Sequence, residues 1–175
     1  SGFKASDLVF LDESGCNTDM TRRYAYSLGG SRSVDSAPLS KPKNTTILSS
    51  IQLDGTLRYT TFSGGTTVER FKRFLETDLL PHLNGNSVLI MDNMKSHHAK
   101  VAKNLLDSSG VRYIYIPPYS PDLNPIEKLW SKVKALLRKF KARALDALPN
   151  AIQCAFQAVS PSDCSGWFKF CDYLH

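Results

Sequence analysis

The sequence predicts an α/β domain in which helices flank a mixed sheet, and three observations support this prediction. Two short apolar runs, in residues 7–12 and Ser87–Asp92, lack polar alternation and are typical of strands buried on both faces. The first half of the chain is rich in strand patterns and turn signals, and helical periodicity dominates the last third. Between them strands and helices alternate, an order that favours one sheet covered by helices.

The first half contains four predicted strands. Residues 7–12 form the first. Arg23–Gly30 and Thr45–Leu53 form the next two, and the turn signal Asp54-Gly55 ends the latter. Leu57–Phe62 follows directly and is predicted to pair with it across that turn.

The middle of the chain alternates between helix and strand. Thr66-Thr67-Val68-Glu69 resembles a capping box, and apolar residues at helical spacing follow it as far as Pro81. Ser87–Asp92 is the second buried strand. Ser96–Ser108 is predicted to be helical, and Val111–Ile116 is the last predicted strand.

The last third is predicted to be helical. Asn124 is a good N-cap and Pro125 a good first helical residue. A further helix is predicted near Asp146–Ala158. The apolar stripe of the first of these helices comprises Ile126, Leu129, Trp130, Val133, Leu136, Leu137 and Phe140. Its position on this stripe predicts Trp130 to be a core residue rather than a platform for stacking bases.

Length and composition indicate one globular domain. The 175 residues are 42% hydrophobic and 22% charged, and no apolar stretch has the length of a membrane span. The four cysteines form no C-x-x-C pair, although three of them lie near the C-terminus with His175. Their spacing fits no standard zinc pattern, so we predict free or buried thiols and a reducing compartment.

Positive charge is concentrated in one predicted helix. The net charge is +6, but residues 128–143 contain seven basic residues and no acid, so the rest of the chain sums to −1. The seven are Lys128, Lys132, Lys134, Arg138, Lys139, Lys141 and Arg143. They could form a solvated helix face, but so many like charges repel one another unless a polyanion is present. We therefore predict that they contact nucleic acid.

Three acids are placed where they could meet. Asp12 and Asp92 each end a predicted buried strand, and functional groups gather beyond the carboxyl ends of parallel strands. Glu127 follows at the start of a helix, with thirty-four residues between it and Asp92. Each acid also has a structural explanation, since Asp12 and Asp92 could serve in turns and Glu127 could cap its helix.

A carboxylate cluster of this kind suits divalent metals and phosphodiester chemistry. Mg²⁺ prefers hard oxygen ligands, and two such ions can activate an attacking water and stabilise a leaving oxygen. His97 and His98 follow the second buried strand, where they could pack on a helix, orient a water or contact a DNA backbone. The chain contains no G-x-S-x-G elbow and no G-x-x-x-x-G-K-[ST] loop, which counts against a serine hydrolase and an NTPase.

Several motifs, in order along nearly the whole chain, resemble one family. They are Leu11-Asp12-Glu13-Ser14, Met20-Thr21-Arg22, Met91-Asp92-Asn93 with His97-His98, the segment from Tyr119 to Glu127, and Gly166-Trp167-Phe168. Together they resemble the bacterial insertion-sequence branch of the mariner-like transposases. The resemblance implies a ribonuclease H-like fold over residues 1–175, with Asp12, Asp92 and Glu127 binding two Mg²⁺ or Mn²⁺ ions and His97 beside them.

The same resemblance implies a function. Such a domain cuts transposon ends by metal-dependent hydrolysis and transfers the freed 3′-hydroxyl into target DNA, typically at TA, as a homodimer in the bacterial cytoplasm at the nucleoid. Relatives carry a paired helix-turn-helix region before this domain, and these 175 residues show no counterpart of it. Two alternatives are a stand-alone nuclease on the same fold and an inactive or domesticated DNA-binding module.

Overall fold

The computed structural model describes residues 3–17, 44–93, 99–117, 120–140 and 147–174. The predicted strand Arg23–Gly30 and the histidines His97 and His98 lie outside these ranges. The strands are β1 (Leu8–Cys16), β2 (Thr45–Gln52), β3 (Leu57–Ser63), β4 (Val88–Met91) and β5 (Arg112–Tyr115). The α-helices are α1 (Val68–Arg73), α2 (Lys100–Ser109), α3 (Ile126–Phe140), α4 (Leu148–Gln157) and α5 (Pro161–Phe170).

The five strands form one mixed sheet in the order β3-β2-β1-β4-β5. The pairs β1–β2 and β2–β3 are antiparallel, whereas β1–β4 and β4–β5 are parallel. The antiparallel part contains the predicted hairpin, and helices cross over between the parallel strands, as the alternation in the sequence predicts. The predicted α/β class with a mixed sheet is therefore confirmed.

Strand β1 extends beyond the predicted end at Asp12. Its parallel pairing with β4 runs from Leu8 opposite Val88 to Leu11 opposite Met91. Its antiparallel pairing with β2 continues four residues past Asp12, to Cys16 opposite Thr45. The prediction that Asp12 ends its strand was wrong, because the partner strand β2 is long enough to hold residues 13–16 in the sheet.

Alternating side chains of β1 divide the core into two layers. Leu8 and Phe10 face a layer covered by α3, α4 and α5. Val9 and Leu11 face the opposite layer, which is covered by α1 and α2. The two central strands are thus buried on both faces, which explains their continuous apolar runs.

Local signals set most helix ends. The Thr67 hydroxyl accepts a hydrogen bond from the Arg70 N–H at 3.2 Å, so the cap of α1 is Thr67 and not Thr66. Helix α1 then continues into a π-helical turn, Phe74–Leu79, that keeps Leu79 buried. Gly110, with φ of 74°, ends α2 in the left-handed conformation that glycine tolerates best.

Helix α5 was missing from the sequence prediction. The predicted final helix corresponds to α4, and Pro161–Phe170 forms one more. A capping box starts α5: Ser160 and Asp163 exchange hydrogen bonds of 2.9 and 3.0 Å. Its Phe168 packs edge-to-face on Phe10 of the sheet, with ring centroids 5.4 Å apart. The helix was overlooked because its apolar stripe is weak and begins immediately after α4.

All four cysteines are free, and Cys16, Cys164 and Cys171 are buried. Burial raises the pKa of Cys16 and that of Cys164 to about 11, so both thiols stay protonated at neutral pH. No helix among the described residues is long and apolar enough to cross a membrane.

Candidate active site

The first two acids lie side by side in the structure. Because Leu11 pairs with Met91, the next residue of β1, Asp12, lies beside Asp92, the first residue after β4, where the parallel pairing ends. Both carboxyl groups extend on the side of the sheet that α3 covers, and they interact directly with each other. Asp12 is only 5% exposed and Asp92 is half-buried. The predicted meeting of these two aspartates is thus present in the fold.

The environment of Asp12 disfavours the ionised form of its carboxyl group. The pKa of Asp12 is raised to about 8, chiefly by burial and also by the neighbouring charge of Asp92. Hydrogen bonds from the Glu13 backbone N–H and the Trp130 indole act in the opposite direction. Two adjacent, poorly hydrated carboxylates are costly in isolation and become favourable when a cation lies between them. Their oxygen atoms are ligands that suit Mg²⁺ or Mn²⁺.

Trp130 of α3 reaches the same pair of acids. Its indole Nε1–H donates to Oδ2 of Asp12 over 3.1 Å, and the ring is only 4% exposed. Trp130 belongs to the core, as predicted, but its polar end lies in the site, which the prediction did not foresee. A signal was available, because Trp130 follows Glu127 by three residues and residues so spaced share a helix face.

Glu127 lies across a cleft from Asp92. It occupies the first turn of α3, and the local start of this helix is the one predicted: Oδ1 of Asn124 accepts the N–H of Ile126 at 3.3 Å. Asp92 and Glu127 line one cavity of about 240 Å³ with Asn93, Ile116, Pro117, Ser120, Pro121 and Asn124. Its lining joins the residue after β4, the end of β5 and the start of α3.

The three acids do not form a closed metal-binding cluster. Within the described ranges, no three His, Cys, Asp or Glu side chains form a group that could hold a metal ion. Glu127 is exposed on the outer side of the cleft, whereas Asp12 is buried against Trp130. The role of the triad therefore stays a prediction, and His97 lies outside the described residues.

The basic helix is less free than its sequence indicates. Lys132 forms a salt bridge of 2.5 Å with Asp163 of α5, and this contact lowers the pKa of Asp163. The ammonium group of Lys128 lies 4.1 Å from the ring centroid of Phe170, whose side chain is 65% exposed. The expectation of seven unopposed charges was therefore wrong at Lys132, because α5 supplies an acid that the local sequence does not.

The other basic residues differ in exposure. Lys139 is exposed, and Lys134 and Arg138 are half-buried on the same helix. Lys141 and Arg143 lie outside the described residues. Nucleic-acid contact by this set of residues stays a prediction.

The mixed five-stranded sheet with helices on both faces is a ribonuclease H-like fold. Residues 7–148 match the family described as DDE superfamily endonuclease, and the chain belongs to that family. This membership confirms the resemblance drawn from the motifs.

Individual relatives agree with this assignment. The chain is 28% identical over 97 residues to the transposable element Tc1 transposase of Caenorhabditis elegans, a match that covers 53% of this chain and 36% of that protein. Among solved structures it is similar to a pre-cleavage Mos1 transpososome, with a TM-score of 0.74, 17% identity and coverage of 97% of this chain and 54% of that one. It is similar also to the catalytic domain of Mos1 mariner transposase, with a TM-score of 0.70, 17% identity and coverage of 97% and 79%.

The chain spans only part of the length of these relatives. The matched region spans about a third of the Tc1 transposase, and the chain covers about half of the Mos1 protein in the transpososome. At 17% identity the solved structures establish the ribonuclease H-like fold.

Proposed function

We propose that this chain is the catalytic domain of a cut-and-paste DNA transposase. It would hydrolyse phosphodiester bonds at transposon ends and transfer the resulting 3′-hydroxyl into target DNA at TA. The observation that carries this proposal is the contact between buried Asp12 and half-buried Asp92, together with the cleft that Asp92 and Glu127 line. Family membership supports it, as do the relatives, which include a Mos1 strand transfer complex.

The chemistry of these side chains supports a divalent metal centre as part of the proposal. Asp12 and Asp92 offer hard oxygen donors whose mutual repulsion a cation would relieve, and Glu127 offers a third carboxylate at the rim. Two Mg²⁺ or Mn²⁺ ions bound there would supply charge stabilisation for the attacking hydroxyl and the leaving oxygen. The Mos1 catalytic domain has been solved with Mn and with Mg, which supports the use of either ion.

The chain's own residues have separate tasks in this proposal. Asp12 would be a metal ligand whose position is fixed by the sheet and by α3. Asp92 and Glu127 border the cleft that would receive the phosphodiester backbone. His97, by resemblance, would lie beside the ions and contact the reacting phosphate or its water.

DNA is the proposed partner, on both transposon ends and target. Lys128, Lys134, Arg138 and Lys139 of α3 would neutralise phosphates, together with Lys141 and Arg143 further along, whereas the charge of Lys132 is paired with Asp163. The full-length protein is proposed to act as a homodimer, since the Mos1 relatives include paired-end complexes with transposon DNA. A bacterial, nucleoid-associated location is proposed from the resemblance of the sequence motifs to insertion-sequence transposases.

One experiment tests the activity. The full-length protein and its Asp92→Asn variant are incubated with the DNA ends that flank its gene, a supercoiled target plasmid and Mg²⁺ or Mn²⁺. We expect cleaved ends and strand-transfer products joined at TA from the wild type, and neither from the variant. Equal cutting by both proteins would refute the assignment of the site.

The same experiment separates the alternatives. Cleavage without joined products would indicate a stand-alone nuclease. Salt-dependent DNA binding without metal-dependent cleavage would indicate an inactive DNA-binding module.

A further inference from the structure

The hydrogen bond between Trp130 and Asp12 joins two groups that are 118 residues apart in sequence and almost completely buried. Its length, 3.1 Å from Nε1 to Oδ2, is that of a good hydrogen bond. A buried indole N–H needs an acceptor, so the bond could exist merely to satisfy Trp130. The identity of the acceptor decides against this explanation. A carbonyl or amide would satisfy the indole at a lower cost than a buried aspartate beside a second aspartate.

The bond also restricts how Asp12 can turn. The backbone N–H of Glu13 and the indole N–H both donate to this carboxyl group. Two donors with fixed positions determine the rotation of the carboxyl plane, because each donor requires a lone pair of a carboxyl oxygen to point toward it. Both donors are rigid, since one is backbone within β1 and the other is a ring packed in the core. The lone pairs that remain keep a fixed direction.

Helix α3 places this donor and the third acid together. Glu127 and Trp130 are three residues apart on α3, so they lie on neighbouring turns of one face. Glu127 borders the cleft while Trp130 contacts Asp12, and both are carried by a single rigid element. A shift of the helix would therefore move Glu127 and turn Asp12 at the same time.

We propose that Trp130 is a positioning residue, which orients the Asp12 carboxylate for metal binding through its indole N–H. The inference rests on the proposed function, because it assigns Asp12 to a metal site. Groups that orient metal ligands in this way typically contribute about 10- to 100-fold to metal affinity or activity. Trp130 would contribute through Asp12 and would not itself touch the metal or the DNA.

The first test compares Trp130→Phe with Trp167→Phe in the 175-residue chain. Both changes remove an indole N–H from the same apolar core, but among the described residues no acid accepts a hydrogen bond from Trp167. Mn²⁺ affinity is measured by calorimetry and by the signal of free Mn²⁺ in electron paramagnetic resonance. We expect affinity to fall about 10- to 100-fold in Trp130→Phe and to change by less than about twofold in Trp167→Phe. In the full-length protein, Trp130→Phe should lower kcat and leave KM for DNA unchanged.

A folded Trp130→Phe chain that binds Mn²⁺ as tightly as the wild type would overturn the inference and leave the proposed function intact. If the wild type itself shows no carboxylate-dependent Mn²⁺ binding, both fail together.

The second test leaves Trp130 in place, so it also decides the matter if Trp130→Phe does not fold. The chain has two tryptophans, and in Trp167→Phe only Trp130 emits. We expect saturable quenching of this emission by paramagnetic Mn²⁺, reversal by excess Mg²⁺, and loss of the effect after Asp12→Asn. Emission that stays constant while calorimetry reports Mn²⁺ binding would place the ion away from the Trp130–Asp12 pair and overturn the inference.

Discussion

Two adjacent acids on β1, Asp12 and Glu13, have opposite environments. Their side chains point to opposite faces of the sheet because they are neighbours on a strand. Glu13 is half-buried on the α1 side, where the Thr66 hydroxyl donates a hydrogen bond to it. Asp12 is buried on the α3 side against Asp92, and its pKa rises to about 8 because of burial and that neighbour. One acid is accommodated by the fold, and the other is held in an unfavourable state.

The difference separates an acid whose charge the fold satisfies from one whose surroundings suit a metal site. Both belong to the motif Leu11-Asp12-Glu13-Ser14, and the sequence alone cannot rank them by chemistry. A structural acid accepts hydrogen bonds that stabilise its charge. An acid that binds a metal lies beside another acid, and a bound cation relieves the repulsion between them. Substitutions at the two positions should therefore have opposite consequences.

The largest expected difference between the two acids is in catalysis. Asp12→Asn should lower metal-dependent cleavage of transposon ends about 1,000-fold, or about 4 kcal/mol in barrier height, because it removes one charged oxygen ligand. Glu13→Gln should stay within about threefold of the wild type, since its side chain extends to the opposite face of the sheet. Single-turnover rates of the full-length proteins measure both effects. Comparable losses at the two positions would erase the distinction.

A smaller and opposite difference is expected in stability without metal. In EDTA, Asp12→Asn should raise the free energy of unfolding by about 1–2 kcal/mol, or about 2–8 °C in Tm, because the cost of burying an acid, and of placing it beside Asp92, disappears. The new amide can accept the Trp130 N–H and donate to Asp92, so the site keeps its hydrogen bonds.

On the other face, Thr66→Val should lower stability by about 1 kcal/mol, because it removes the donor to Glu13 and leaves a half-buried acceptor. Urea unfolding with matched m-values measures the change in free energy of unfolding for Asp12→Asn and for Thr66→Val. Destabilisation by Asp12→Asn under these conditions would mean that the fold, and not a metal, requires the acid.

An effect no larger than this extends the comparison to Asp163, an acid with a cationic partner. The hydrogen bond from Lys132 and those at Ser160 lower the pKa of Asp163 below its usual 3.8. Its stabilisation is therefore present above about pH 4 and is lost as the pH falls through the lowered value. Asp163→Asn should cost about 1 kcal/mol at pH 7 and progressively less below pH 4. Urea unfolding from pH 7 to pH 2.5 would test this, and a cost independent of pH would assign the effect to the helix cap alone.

Much of the fold could be read from local patterns. The buried strands gave continuous apolar runs, Asp54-Gly55 marked the hairpin, and Asn124 marked the start of α3. The end of β1 could not be found in this way, because the length of a strand depends on its partner and β2 begins 29 residues after β1 ends. Helix α5 has a weak apolar stripe, but Ser160 and Asp163 mark its start in the sequence because they form a capping box.

The candidate site was only partly accessible to sequence reasoning. That Asp12 and Asp92 follow paired apolar runs predicted their meeting, because parallel strands in register bring equivalent positions together. The Lys132–Asp163 bridge and the Trp130–Asp12 bond were not predictable, since each joins elements whose packing no local pattern specifies.

The extension of β1 past Asp12 bears on how the site would survive local opening. Asp12 lies inside a central strand and opposite Ser49 of β2, so its backbone is released only when the sheet itself opens. Asp92 follows the end of β4 and Glu127 occupies the first turn of α3, positions at the margins of their elements, where chains open most readily. After such a local opening, Asp92 and Glu127 would return to a site in which the position of Asp12 has not changed.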